Sequence, residues 1–298
     1  MKEIEKYGFR ELEDKLQDCE KIGEWEAFEI YRTTHKQCVY LFKIFIRMDD
    51  QEIEDEIRTL KEFKDSYDVL NMSEKVTMDK RYGFLIDDKK YEIMAAMIRE
   101  NSEKLDEYGA EFAQLHVKMH ELKTDLELPN FIEYVPYALE SLQVVPEFKE
   151  KLIALHATMD SEFVVCHNDF GPFHVLKSDE ESFVIEWSNI GFADPMADVA
   201  KTIFLLCSNY VPGIGPYLLG KKVKKRFVQS YLKEYKKARE IDEERLSKWF
   251  AIFCAIEYDT ELQAEGISSN IQLLYDYVEK YLEGEAVDYF DYLIYEPI

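Results

Sequence analysis

The residues able to do chemistry gather between positions 166 and 200, CHNDFGPFHVLKSDEESFVIEWSNIGFADPMADVA. Two short apolar segments, 163–166 and 183–186, are rich in β-branched and aromatic residues and predict strands. Each ends in polar or acidic residues. Asp169 and His174 lie in the loop between them, and Glu186 closes the second strand. Asp169 and Glu186 stand seventeen positions apart. Two acids at strand ends suit a site where a metal ion and a phosphate meet. The ion needs hard oxygen ligands, and a hydroxyl attacking phosphorus needs an acid to orient it. A Gly/Asp/Pro turn then leads into a helix expected over 198–207.

The order of these residues is informative. His167, Asp169 and His174 follow an H-x-D-x-x-x-x-N pattern with histidine in the last place. Glu186 takes the place of a second metal-binding acid, and Asp194-Pro195 with Asp198 follows. The protein-kinase catalytic loop and its metal-binding Asp come in this order. The form here is H-N-D-F-G-P-F-H-V-L, then V-I-E-W and D-P-M-A-D-V-A. It resembles the aminoglycoside phosphotransferase/choline kinase-like family more than the protein kinases. Pro172, Trp187 and Asp194-Pro195 with Asp198 carry the likeness. It runs loosely over 23–249 and is specific over 166–200. The resemblance implies an α+β, two-lobed, protein-kinase-like fold. A small antiparallel-sheet lobe over 1–98 would cover the nucleotide, and a mostly helical lobe over 99–298 would hold catalysis and substrate.

The elements that must position these residues begin at the N-terminus. Ile4, Tyr7, Leu12 and Leu16 recur at roughly helical spacing and predict a leading helix over 1–18. Segments 27–31 and 39–46 predict a hairpin opening a small sheet. Before them, Ile22-Gly23-Glu24-Trp25 breaks the helical pattern. The resemblance places the nucleotide-covering loop at Gly23. One glycine presents backbone N–H groups to phosphate more weakly than a multi-glycine loop.

Lys43 lies inside Tyr-Leu-Phe-Lys-Ile-Phe-Ile. A buried ammonium needs a partner; the alternative is an edge-strand lysine in solvent. A helix expected over 50–63 supplies Glu56, with Leu60 on the buried face, and Glu52 one turn earlier. The resemblance assigns Lys43 to the α/β-phosphates and Glu56 to holding it extended. Strands are expected over 69–78 and 82–86, and the apolar run 91–98 reads as the last strand of the sheet. There the resemblance makes Ala95, Ala96 and Met97 the hinge where adenine hydrogen-bonds to backbone.

Beyond residue 100 the pattern is helical. Leu105, Tyr108, Phe112, Leu115, Met119 and Leu122 form an apolar stripe over 105–122. His116 and His120 on this helix could chelate a metal, but no Glu follows His116 as the H-E-x-x-H zinc motif requires. They read as packing histidines. A Pro-punctuated connection over 126–148 precedes helices expected over 148–159, 219–239, 243–265 and 270–282. The helix over 219–239 carries nine cations, either an anion or RNA patch or a solvated face that balances an acidic chain.

Composition excludes several classes. A chain of 298 residues, 47% hydrophobic, buries a full core and fits two lobes. No run of eighteen apolar residues suggests a membrane span, and the charged start lacks a secretory signal. The five scattered cysteines read as reduced thiols of a cytoplasmic protein. A net charge of −24 argues against nucleic acid. It suits solubility, or attraction of a cationic small-molecule substrate.

The chemistry implied is transfer of the γ-phosphate of ATP or GTP to a hydroxyl of a small, amino-bearing molecule. Asp169 would orient the acceptor hydroxyl, and His174 and Glu186 would hold Mg²⁺. These two ligands depart from the Asn and Asp of the family. An imidazole is a poor ligand for hard Mg²⁺, and Glu is longer than Asp by one methylene, so Mn²⁺ suits the pair better. The alternative is a silent relative that binds nucleotide or ligand without turnover.

Overall fold

The computed structural model describes residues 11–12, 16–25, 28–35, 38–46, 50–67, 75–159, 162–207, 210–211, 215–216, 220–263, 271–285 and 287–288. The backbone packs into two units that interleave along the chain, so no single cut separates them. The first comprises 1–101, 172–188 and 210–217, and the second 102–171, 189–209 and 218–298.

The first unit is built on a six-stranded sheet. Its strands are β1 (Glu11–Leu12), β2 (Glu20–Glu24), β3 (Phe28–His35), β4 (Cys38–Phe45), β5 (Val76–Met78) and β6 (Arg81–Asp87). Their order is β1-β5-β6-β4-β3-β2. All pairs are antiparallel except β1 with β5. The hairpin and the strand over 82–86 form where the β-branched and aromatic runs place them. The leading helix expected over 1–18 is a correction. Where described, the chain there is β1 and a single 3-10 turn, Leu16–Asp18. Pairing of β1 with β5 overrides the helical spacing of the apolar residues, since a weak local preference yields to tertiary contacts. Residues 1–10 and most of 69–75 lie outside the described residues.

Strand β4 sits between β3 and β6, so its sides alternate between two buried faces. Tyr40, Phe42 and Ile44 join Val76, Met78 and Leu85 in one core cluster. Leu41, Lys43 and Phe45 face the other way. After β4 comes helix α1 (Asp50–Phe63), with Ile53, Ile57 and Leu60 buried. A second, three-stranded sheet orders β10 (Ser182–Val184), β9 (Val175–Lys177) and β7 (Glu92–Ile93). The strand expected over 91–98 is also corrected. After β7 the chain turns into helix α2 (Met94–Glu100), in keeping with the helix preference of Met-Ala-Ala-Met.

The second unit is helical: α3 (Leu105–His120), α4 (Val135–Ser141), α5 (Pro146–Ala157), α6 (Pro195–Cys207), α7 (Lys221–Ala238), α8 (Glu243–Gln263) and α9 (Ile271–Leu282). Helix α4 and a 3-10 turn, Phe131–Glu133, occupy what reads as a connection, with Pro136 in the first turn of α4 as that residue prefers. Helix α3 lies close against α7. A Cβ at Gly109 would meet the Ser230 Cβ at 2.8 Å, so glycine permits the approach. A two-stranded sheet pairs β8 (Val164–Cys166) with β11 (Gly191–Ala193). The two strands read from the reactive stretch, β8 and β10, therefore do not pair with each other.

Candidate active site

Lys43 is central in the sheet, 1% exposed, with Ile30 and Phe84 as its cross-strand neighbours. Its ammonium lies over the Phe28 ring at 4.2 Å and donates to Glu56 Oε1 at 2.5 Å. The pairing expected of a mid-strand lysine is thus present. Glu56 Oε1 also accepts from the Trp187 backbone N–H at 3.4 Å. A second carboxylate approaches from the other side, with Glu186 Oε2 3.6 Å from the ammonium. Glu186 Oε1 accepts from the Ser188 hydroxyl. Burial, and then the nearby Glu186 charge, push the Glu56 carboxyl up, against the pull of Lys43.

One buried lysine thus faces two buried carboxylates, which leaves one negative charge in excess. A divalent cation beside Glu186 would relieve that excess. His174 ends a 3-10 turn, Pro172–His174, and its side chain is buried. The β9–β10 hairpin pairs Val175 with Val184, and the Ile185 N–H donates to the His174 carbonyl at 2.8 Å. That pairing brings the backbone of His174 next to Glu186. The His174 backbone alone is placed by this pairing; an imidazole and a carboxylate on one ion would be a mixed nitrogen and oxygen donor set, closer to Mn²⁺ than to Mg²⁺ in preference. Glu186 holds a left-handed backbone, φ 68°, unusual for a residue with a side chain.

In the second unit, Asp169 is half-buried on the loop after β8. Asn168 before it has φ 61°, a conformation that asparagine tolerates. The loop is held by Asp198, fully buried on α6. Asp198 Oδ2 accepts from the His167 N–H at 2.8 Å, and Oδ1 from the Asn168 N–H at 3.0 Å. Oδ2 also takes His116 Nε2 at 2.9 Å and His120 Nε2 at 3.2 Å. The other ring nitrogens bond Tyr231 and Tyr235 on α7, at 2.8 and 2.7 Å. One assignment satisfies every group: each Nε2–H donates to Asp198, and each tyrosine hydroxyl donates to Nδ1. The three residues have metal-ligand types and lie close together. Both nitrogens of each imidazole are nonetheless in hydrogen bonds, as fits packing histidines.

Asp194 and Pro195 start α6 as N-cap and first-turn proline. Asp194 Oδ1 accepts from the Met196 N–H at 2.8 Å, and Oδ2 from the Trp249 indole at 3.2 Å.

The network has a pH signature. Burial, then the His116 charge, lower His120 to about 4 despite its bond to Asp198; Arg239 lowers it further. Burial alone would raise Asp198, but His116 and His120 hold it well below the usual carboxylate range. A histidine depressed in the fold stays neutral there while the unfolded chain takes a proton. Stability is then complete above about 6.5 and is lost as pH falls toward about 4. For a fully buried group the loss is about 3 kcal/mol at 1.36 kcal/mol per tenfold. The contribution of Asp198 fails only at lower pH, below its unfolded value of about 3.9. Urea unfolding of the wild type and of His120→Gln should show the wild type losing more stability between pH 7 and 4.5. Equal losses would count against the network.

Other sequence-based site residues are placed differently from expectation. Gly23 is inside β2, beside an irregularity in its pairing with β3, not in a turn. A Cβ there would meet the Trp25 ring at 2.6 Å and Ile93 Cδ1 at 2.9 Å, so its smallness admits that packing. The hairpin closes further on, where the Trp25 N–H donates to the Phe28 carbonyl at 2.8 Å. Ala95, Ala96 and Met97 lie on α2, and the Met97 carbonyl accepts from the Asn101 N–H at 2.9 Å. A helix does not offer the extended hinge backbone expected there.

Sequence reasoning missed the load that Asp198 bears on the loop, and it missed Phe131, Tyr134 and Lys201, which share a pocket in the second unit. Glu257 is half-buried on α8 and Asp259 is buried. Asp259 accepts from the Gln143 N–H at 2.5 Å, which fixes the chain after α4.

A sequence model described as the phosphotransferase enzyme family matches residues 19–246. No curated relative matches the chain by sequence. Among solved structures, the amicoumacin kinase hAmiN, in complex with AMP-PNP, Ca²⁺ and Ami, is similar with a TM-score of 0.59 at 14% identity, covering 95% of this chain and 93% of that one. An aminoglycoside-3'-phosphotransferase of type VIII gives 0.52 at 21% identity, over 80% and 93% of the chains. The choline kinase LicA from Streptococcus pneumoniae gives 0.51 at 17%, over 86% and 90%. At these identities the likeness shows the fold, which is kinase-like: an antiparallel-sheet N-terminal region and a mostly helical remainder.

Proposed function

The chain belongs to the phosphotransferase enzyme family, and on that premise we propose that it moves the γ-phosphate of ATP or GTP to a hydroxyl of a small molecule. The observation that supports this most is the fully buried lysine held between two carboxylates, Glu56 and Glu186. Burying three charges in one place is costly unless they serve a ligand. Lys43 neutralises the α/β-phosphates, and Glu56 keeps the ammonium extended toward them. Glu186 and His174 would hold a divalent ion, which would supply charge neutralisation on the phosphate oxygens. Asp169 orients the acceptor hydroxyl and takes its proton as the new P–O bond forms and the bond from the γ-phosphorus to the β-phosphate oxygen breaks, releasing the nucleoside diphosphate. Asp198 fixes the backbone that aims Asp169. The base packs against Ala96 and Met97 through side chains, since the helix occupies their backbone. No helix among the described residues is long and apolar enough to cross a membrane.

The test is thermal stability of the full chain with ATP and GTP, each with Mg²⁺, Mn²⁺ or chelator. A ligand at a hundred times its dissociation constant adds about 2.7 kcal/mol to the folded state. Binding should require metal, with Mn²⁺ at least as effective as Mg²⁺. The double change His174→Asn with Glu186→Asp should raise Mg²⁺-dependent transfer, because it supplies an amide oxygen and a shorter carboxylate. Metal-independent binding, with no gain in the double variant, would leave nucleotide binding without turnover as the better account. The hydrogen bond from the Ser188 hydroxyl to Glu186, which occupies an oxygen a metal would need, favours that second reading.

A further inference from the structure

A pocket in the second unit opens beside Asn168, the neighbour of Asp169. Its cavity is about 200 Å³, below the range typical of drug-sized ligand sites and suited only to a small molecule. Its lining is largely aromatic: Phe131 and Tyr134, with Trp249 and Phe253 on α8. Trp249 stacks on Phe253 with ring centroids 6.0 Å apart, and its indole N–H is fixed on Asp194. These rings are a rigid surface for a flat or alicyclic group.

Only two of the lining residues carry a charge at neutral pH, Asp198 and Lys201. The Asp198 carboxylate is taken up by two backbone N–H groups and two histidines. It is not available to a substrate ammonium. Lys201 lies one turn further along α6, half-buried, and forms no ion pair with a described residue. The acid that senses its charge is Glu257, which burial, then Glu261, push up, and Glu257 does not line the pocket. The net charge of −24 favours cations at long range. The pocket itself presents a cation and aromatic faces.

We propose that the acceptor is a hydroxyl-bearing molecule with an aromatic or alicyclic ring and a carboxylate, its ring between Tyr134 and Phe253 and its anion on Lys201. This rests on the phosphotransfer reading and replaces the amino-bearing acceptor suggested by the sequence. A charge-assisted hydrogen bond to Lys201 in a half-buried site gives the discrimination.

The test uses three matched probes on the full chain: 3-(hydroxymethyl)benzoate, benzyl alcohol and 3-(aminomethyl)benzyl alcohol. Ring and hydroxyl are shared, and only the charge differs. Affinity is read by calorimetry and by quenching of tryptophan fluorescence. The benzoate should bind at least about tenfold tighter than the amine, equivalent to about 1.4 kcal/mol. Lys201→Met should level the three, and Lys201→Glu should reverse their order. Phe253→Ala should weaken all three alike. A wild type that binds the amine best, or none of the probes at millimolar concentration, overturns the proposal, as does an order unmoved by Lys201→Glu. Phosphate transfer from ATP is scored separately. Probe binding in the predicted order without transfer would keep the pocket assignment and reject the phosphotransfer reading. Transfer to a polyamine such as kanamycin, without probe binding, would do the reverse.

Discussion

Replacing Asp169 by asparagine should reduce phosphate transfer by about 10²–10⁴-fold, the usual contribution of a positioned acid–base group. Nucleotide affinity and the unfolding midpoint should stay close to wild type. The side chain is half-buried on a loop whose conformation is set by other groups, so little folding energy depends on it. Asparagine keeps the shape and loses the capacity to take a proton. The measurement is ATP hydrolysis with water as acceptor, beside nucleotide titration of the same preparation. Parallel loss of binding and turnover would instead assign Asp169 to the metal or to the fold.

The largest effect on stability should come from Asp198. Alanine there leaves two backbone N–H groups and two imidazole N–H groups facing a buried space with no acceptor. Removing one partner from a buried charged network costs about 3–5 kcal/mol. Urea unfolding should show that loss, with turnover falling as the 167–169 backbone loses its anchor. Should Asp198→Ala fail to fold, Asp198→Asn keeps one acceptor oxygen and should show an intermediate loss. A stability change under about 1 kcal/mol, the ordinary size for a single hydrogen bond, would show that the four donors are satisfied otherwise.

The elements read most accurately from sequence are those whose local signals agree with their packing. Helix α1 runs over the span expected from its acids and apolar stripe, and the hairpin of β3 and β4 lies where aromatic and β-branched residues cluster. The errors lie where local and tertiary preferences compete. The apolar residues at 12 and 16 have helical spacing, yet β1 is recruited by the edge of β5. The run at 91–98 is apolar enough for a strand, and only its composition distinguishes the helix that follows Ile93. Short apolar runs are ambiguous in this way because a buried strand and a buried helix bury the same residue types.

For the site, the sequence by itself singled out Lys43 and its partner Glu56, with Asp169 and Glu186 as candidate acids. A lysine amid apolar residues demands a buried partner, and acids at strand ends demand a ligand. Both demands follow from the free energy of removing charge from water. Only the tertiary structure decided that Glu186 joins Glu56 on Lys43, because the β9–β10 hairpin and α1 are far apart in the chain. It alone decided that one aspartate on α6 collects two histidines and two loop amides. It also decided the character of the pocket. Lys201, Trp249 and Phe131 are unremarkable in sequence, and the net charge points to cations. A binding surface takes its charge from the few side chains that folding turns toward it, and a sum over the chain does not contain that choice.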